Sequence, residues 1–119
     1  SGIYLRGCPQ VQIWDPADKG GARDHSVGSG GLHNNQKNPN NPTKRADKPI
    51  GEWNQFRILM TGDKVSVYLN NEFVVHDVTM ENSLARDQPL YSFGPIELQN
   101  HKNPLYFKNI YVREIGARK

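Results

Sequence analysis

Between residues 56 and 69, apolar side chains recur at every second position: Phe56, Ile58 and Met60, then Val65, Val67 and Leu69. A period of two belongs to a strand with one buried face, whereas a helix would repeat every 3.6 residues. Thr61-Gly62-Asp63-Lys64 reads as the turn between the first two strands. Asn70-Asn71 predicts a two-residue hairpin turn, because asparagine tolerates positive φ. Residues 72–78 then return as a third strand, with His76 on the face of Val74 and Val78 and therefore expected to be packed. A meander in mid-chain commits the fold to an all-β class. The most helical stretch elsewhere, residues 80–87, predicts a single helical turn stopped by Pro89.

The two ends of the chain repeat the alternation. Residues 1–6 predict a strand with Ile3 and Leu5 on one face and Tyr4 and Arg6 on the other. After Pro9, residues 10–14 predict a second strand, with Val11 and Ile13 inward and Gln10, Gln12 and Trp14 outward. Rings with flat apolar faces beside amides and a guanidinium suit a sugar-binding face. The alternative is that Tyr4 and Trp14 pack beneath the loop that follows. Near the C-terminus, Ile96 and Leu98 alternate with Glu97, Gln99 and His101, which puts three polar side chains on one face. Lys102-Asn103-Pro104 reads as a turn, and 105–115, rich in aromatic and β-branched residues, as a returning strand. This hairpin would carry Gln99 and His101 to the edge of a ligand cleft; the alternative for His101 is a histidine that caps the turn.

Residues 16–49 are almost devoid of apolar side chains and read as a loop, far longer than the ~12–15 residues beyond which loops are usually functional or disordered. The expectation is a mobile cover over the Tyr4/Trp14 face. His25 and His33, eight residues apart, are weak metal-ligand candidates, and the glycines at 28–31 lack the signature of a phosphate loop. At 119 residues the chain suits one domain. Cys8 is its only cysteine, which excludes an internal disulfide. No apolar run approaches the ~18 residues of a membrane span. The net charge of +3 sits in loops and tails, without the interleaved aromatics of a nucleic-acid surface.

Several short runs resemble one family in the same order: residues 1–6 (SGIYLR), 11–15 (VQIWD), 51–54 (GEWN), 67–71 (VYLNN), 94–101 (GPIELQNH) and 106–115 (YFKNIYVREI). Together they resemble the 3-keto-disaccharide hydrolase domain family. The resemblance implies a concanavalin-like jelly-roll β-sandwich of which this chain is a partial domain at 1–119, lacking the N-terminal strands, with a polar loop over 16–52. It also implies a periplasmic or extracellular setting, and a second chain or an N-terminal segment that completes the sandwich. The segment Gly30-Gly31-Leu32-His33 resembles one the family places near its cleft. At Gln10 the family often carries an acid.

Ordinary glycoside hydrolysis needs two flanking carboxylates, and Asp15, Glu52, Asp77, Glu97 and Glu114 form no suggestive pair by spacing. Nor do Ser66 and Ser92 stand in a nucleophile elbow. The resemblance implies another route: on an oxidised glycoside, a 3-ketone acidifies the C2 proton, a base removes it, and the enolate expels the C1 substituent before water adds. That chemistry needs a base and an electrophile for the enolate oxygen. His101 is the candidate base and Arg6 the candidate clamp. Tyr4, Gln12, Trp14, His33, Glu97 and Gln99 are the candidates for substrate binding, and a divalent metal is an optional addition. The competing expectation is a non-catalytic carbohydrate-binding module with the same aromatic, hydrogen-bonding face.

Overall fold

The computed structural model describes residues 1–16, 25–99 and 104–115. Six strands appear among them: β1 (Gly2–Tyr4), β2 (Gln10–Gln12), β3 (Phe56–Thr61), β4 (Lys64–Leu69), β5 (Glu72–Thr79) and β6 (Glu97–Leu98). They form two antiparallel sheets, ordered β2-β1-β6 and β3-β4-β5. The architecture is all-β and sandwich-like. A three-residue 3-10 turn at His25–Val27 is its only helical element among the described residues.

The meander forms as its alternation requires. Gly62 turns β3 into β4 with φ 60°, and Asn70 and Asn71 turn β4 into β5 with φ 53° and 68°, the pair of positive values that a type I′ hairpin demands. Val65, Val67 and Leu69 point inward and are fully buried, alongside Val74, Val75 and Met80. From the other sheet, Val11 and the half-buried Ile3 close the same core, joined by Leu5 and Leu32. Burial of such aliphatic side chains contributes roughly 1.5–3 kcal/mol each.

His76 departs from the expectation of a packed ring. Two irregularities in the β4–β5 ladder place extra residues in β5, one between Val67/Val75 and Tyr68/Phe73 and one between Val65/Val78 and Val67/Val75. Bulges of this kind let consecutive residues share a face. Val74 and Val75 are both buried, while His76 is exposed and stacks on Phe73.

The described part of the loop, residues 25–49, is anchored to the core. Leu32 bridges Val11 on the free edge of β2 and is buried in the core. Asn35 is buried, donating to the Pro39 and Thr79 carbonyls while its Oδ1 accepts from the Glu81 N–H. The Glu81 carboxylate in turn accepts the successive backbone N–H groups of Gln36, Lys37 and Asn38 at 2.7–3.1 Å and is paired with Arg86. Three consecutive amides aimed at one anion make a nest. Buried polar side chains anchor this loop in the place of the apolar ones that composition lacks.

No helical turn forms at 80–87. The buried Asn82 uses its Oδ1 to accept the Leu84 and Ala85 N–H groups and the Cys8 thiol. Its amide donates to the Pro89 carbonyl, and the chain leaves through a tight turn closed by Gln88 N–H to the Ala85 carbonyl. A side chain that satisfies the backbone this way replaces a helix. The returning strand expected at 105–115 is likewise absent. Residues 104–115 pair with no described strand, and Asn109 interrupts the extended run with φ 52°. Ile96 and Leu98, expected in a core, are 51% and 43% exposed, because β6 is an edge strand with nothing described beside it. The turn at 102–103 lies outside the described residues.

Candidate functional site

The register of the β2-β1-β6 sheet gathers polar residues on one face. Gly2 stands opposite Gln12, Tyr4 opposite Gln10 on one side and Glu97 on the other. Paired residues share a face, so Tyr4, Gln10, Gln12 and Glu97 stand together, while Ile3, Val11 and Leu98 take the opposite side. Gln99 joins the polar set just past β6: its backbone N–H donates to the Gly2 carbonyl and its amide to the Tyr4 hydroxyl at 3.4 Å. Of the candidates for substrate binding, Tyr4, Gln12, Glu97 and Gln99 stand together on this face.

Gly2 is what makes room. A Cβ there would come within 2.2 Å of Gln10 Oε1 and 2.9 Å of the Val11 carbonyl oxygen. The Gln10 carboxamide therefore lies across the bare Cα of Gly2. Gln10 and Gln12 are both more than nine-tenths buried, and their side-chain oxygens have no hydrogen-bond partner among the described residues. A buried acceptor left unmade costs about 1–3 kcal/mol, and two on one strand are unusual in a native fold.

Trp14 and His33 stand next along the same edge. The Trp14 indole N–H donates to the Gly28 carbonyl at 2.7 Å, and its ring meets His33 edge-on, with centroids 5.5 Å apart. Gly30 N–H and Gly31 carbonyl exchange hydrogen bonds with the Gln12 backbone, so the 28–34 segment lies along the edge of β2. Leu32 turns to the core, and His33 opens the turn closed by Asn35 N–H to the Leu32 carbonyl, its ring against Trp14. Trp14 thus both borders the polar face and packs against the loop.

Arg6 is placed differently from its expectation. The strand ends at Tyr4, and Arg6-Gly7 form the hairpin turn to β2, both with positive φ (55° and 66°). The turn is closed by Cys8 N–H to the Leu5 carbonyl. The turn takes Arg6 out of the alternation with Tyr4, and its guanidinium donates to the Tyr91 carbonyl at 3.0 Å. His101 lies outside the described residues, as does the His25 side chain. Among the described residues, no group of three or more His, Cys, Asp or Glu side chains stands close enough to hold a metal ion, and no helix is long and apolar enough to cross a membrane.

Two residues of the face, Gly2 and Gln10, were not among the candidates. The role of Gly2 had no signal, since its need arises from a residue on the neighbouring strand. Gln10 did carry one: it shares the parity of Gln12 and Trp14.

Compared with known families, the chain matches the model of the 3-keto-alpha-glucoside-1,2-lyase-like domain over residues 1–113. No curated protein and no solved structure gives a match.

Proposed function

We propose a function from one premise: the chain belongs to the 3-keto-alpha-glucoside-1,2-lyase-like domain family. On this reading it cleaves glycosides whose C3 hydroxyl has been oxidised to a ketone. The observation that carries the reading to particular residues is the polar face of the β2-β1-β6 sheet, with its two unpartnered glutamine oxygens. Sugar hydroxyls are donors of the kind those oxygens lack.

The chemistry follows from the ketone. A base takes the C2 proton, and the electron pair of that C–H bond delocalises onto the C3 oxygen as an enolate. Collapse of the enolate forms a C1–C2 double bond and breaks the C1–O bond, and the departing alkoxide takes up a proton. Water then adds, its hydroxyl to C1 and a proton to C2. His101 is the base in this proposal, and Arg6 the group that steadies the enolate oxygen, through guanidinium donors beyond the one given to Tyr91. Tyr4, Gln10, Gln12, Glu97 and Gln99 orient the sugar. No step is routed through a metal.

The test is aglycone release from matched 3-keto- and unoxidised glucosides, with the reaction in deuterated water to follow exchange at C2. Cleavage of the keto substrate alone, with deuterium at C2, is expected. His101→Ala should abolish turnover while leaving the far-UV spectrum and melting point unchanged. Equal cleavage of both substrates would overturn the mechanism in favour of an ordinary glycosidase. Saturable binding without cleavage of either would leave a carbohydrate-binding module.

A further inference from the structure

The outer face of the β3-β4-β5 meander carries a second constellation. Arg57, Tyr68 and Phe73 are consecutive cross-strand partners. The Arg57 guanidinium lies 5.4 Å from the Tyr68 ring centre. Tyr68 stacks on Phe73 at 4.5 Å with the planes 9° apart, and Phe73 on His76 at 3.8 Å. Stacking a guanidinium on an aromatic ring restrains it without using its hydrogen bonds. Arg57 keeps all five N–H donors, since no carboxylate or carbonyl among the described residues accepts them. The nearby acid of the β4–β5 turn, Glu72, is paired instead with Lys44 at 3.0 Å.

Beside Arg57 lies a cavity of about 260 Å³ lined by Gln55, Arg57, Tyr68 and Asn71. The side chains of Gln55 and Asn71 make no hydrogen bond within the protein among the described residues. The Gln55 backbone is held, its N–H by the Asn70 side chain and its carbonyl by the Asn70 N–H. The cavity therefore combines a restrained planar cation, two free carboxamides and a phenol on a rigid hairpin. A guanidinium fork matches a carboxylate with two parallel hydrogen bonds, and carboxamides match vicinal hydroxyls with a donor and an acceptor each. The volume is slightly below the ~300 Å³ at which drug-sized pockets begin, which suits one monosaccharide-sized unit.

We propose that this cavity is a binding site for a polyhydroxy carboxylate of monosaccharide size, held by the Arg57 fork and oriented by Gln55 and Asn71. It lies on a different sheet from the polar face of the proposed catalytic reading and stands or falls independently of it. The ligand is either a free sugar acid or the uronate end of a glycan, and the recognition chemistry is the same.

The experiment is an NMR titration of the full chain, observing the Arg57 side-chain N–H and the Asn71 backbone amide. The probes are glucuronate, methyl glucoside, acetate and a disaccharide ending in glucuronate. Glucuronate should shift both signals saturably, with acetate and methyl glucoside at least ~tenfold weaker. Arg57→Lys keeps the charge but loses the fork and should weaken glucuronate binding at least ~tenfold; Gln55→Ala should weaken it by a smaller factor. Binding of the disaccharide as well as the free acid assigns the end of a glycan, and binding of the free acid alone assigns a small sugar acid. Equal shifts with methyl glucoside or acetate, unchanged affinity in Arg57→Lys, or no saturable shift with glucuronate would each overturn the proposal.

Discussion

The β3-β4-β5 meander buries Val65, Val67, Leu69, Val74 and Val75, and its buried Ser66 hydroxyl accepts the Asp77 N–H. The β2-β1-β6 sheet buries Val11 on one face, but on the other it buries Gln10 and Gln12 with oxygens that no group among the described residues satisfies. Both sheets follow the same two-residue alternation. They differ in what the second face does: in the meander it is largely solvated around a buried Ser66 whose hydroxyl is satisfied, in the other sheet it is polar, crowded and incompletely satisfied. Polar atoms buried at a cost are retained where they serve a ligand more often than where they serve stability. On the proposed reading, the meander supplies most of the buried aliphatic core and the other sheet supplies the face that meets the glycoside. Substitutions in the two sheets should therefore have opposite consequences.

The largest effect belongs to the meander core. Leu69→Ala removes a fully buried side chain at the end of β4 and should destabilise the protein by about 2–5 kcal/mol, read from urea unfolding. A loss under 1 kcal/mol would mean that the meander does not carry the core, and the comparison would break at its stronger end.

An intermediate effect belongs to the clamp between the end of β5 and the 36–38 loop. Burial pushes the Glu81 carboxyl up, but the N–H groups of Asn38, Gln36 and Lys37, with the Asn38 amide, outweigh it and hold its pKa below the ordinary value. A depressed carboxyl contributes stability that is present above its unfolded pKa and lost as pH falls through the folded one. Glu81→Gln should cost about 1–2 kcal/mol at neutral pH, by weakening charge-assisted bonds to the nest. The difference between variant and parent should shrink as the pH falls through the depressed folded pKa, where the parent carboxyl becomes protonated too. Chemical denaturation at several pH values measures it, and a pH-independent difference would remove the charge from the explanation.

How far each region was legible in the sequence follows the same division. Phe56 to Leu69 announced its strands because each inward position is apolar, and Asn70-Asn71 announced the turn because the residue type determines the backbone it tolerates. The bulges in β5 were invisible, since Val74, Val75 and His76 fit a regular strand equally well until β4 fixes the register. Leu32 and Asn35 were hidden by composition: a loop anchored by one aliphatic and one buried amide has no periodicity to detect. At the site, Tyr4, Gln12, Glu97 and Gln99 could be grouped because parity survives along each strand and the resemblance joined the strands. Arg6 could not be placed correctly, because it reads as the last residue of a strand over 1–6 unless the arginine is known to adopt positive φ.

The smallest effect, and the one of opposite sign, belongs to Gln12. Its amide donates only a long bond, 3.4 Å, to the Ile13 carbonyl, and its oxygen accepts nothing. Gln12→Leu keeps nearly the same volume and removes the unsatisfied acceptor, so the desolvation cost disappears while little is lost. The variant should be more stable by about 1 kcal/mol, a rise of a few degrees in melting temperature for a domain of this size. If the oxygen is held ready for a sugar hydroxyl, the same substitution should lower kcat/KM on the 3-keto substrate at least ~tenfold, about 1.4 kcal/mol of transition-state or substrate binding. Stability gained as activity falls is the signature of a residue kept for function. Destabilisation by 1 kcal/mol or more would show instead that Gln12 is a satisfied structural residue, and the division of labour between the two sheets would lose its clearest support.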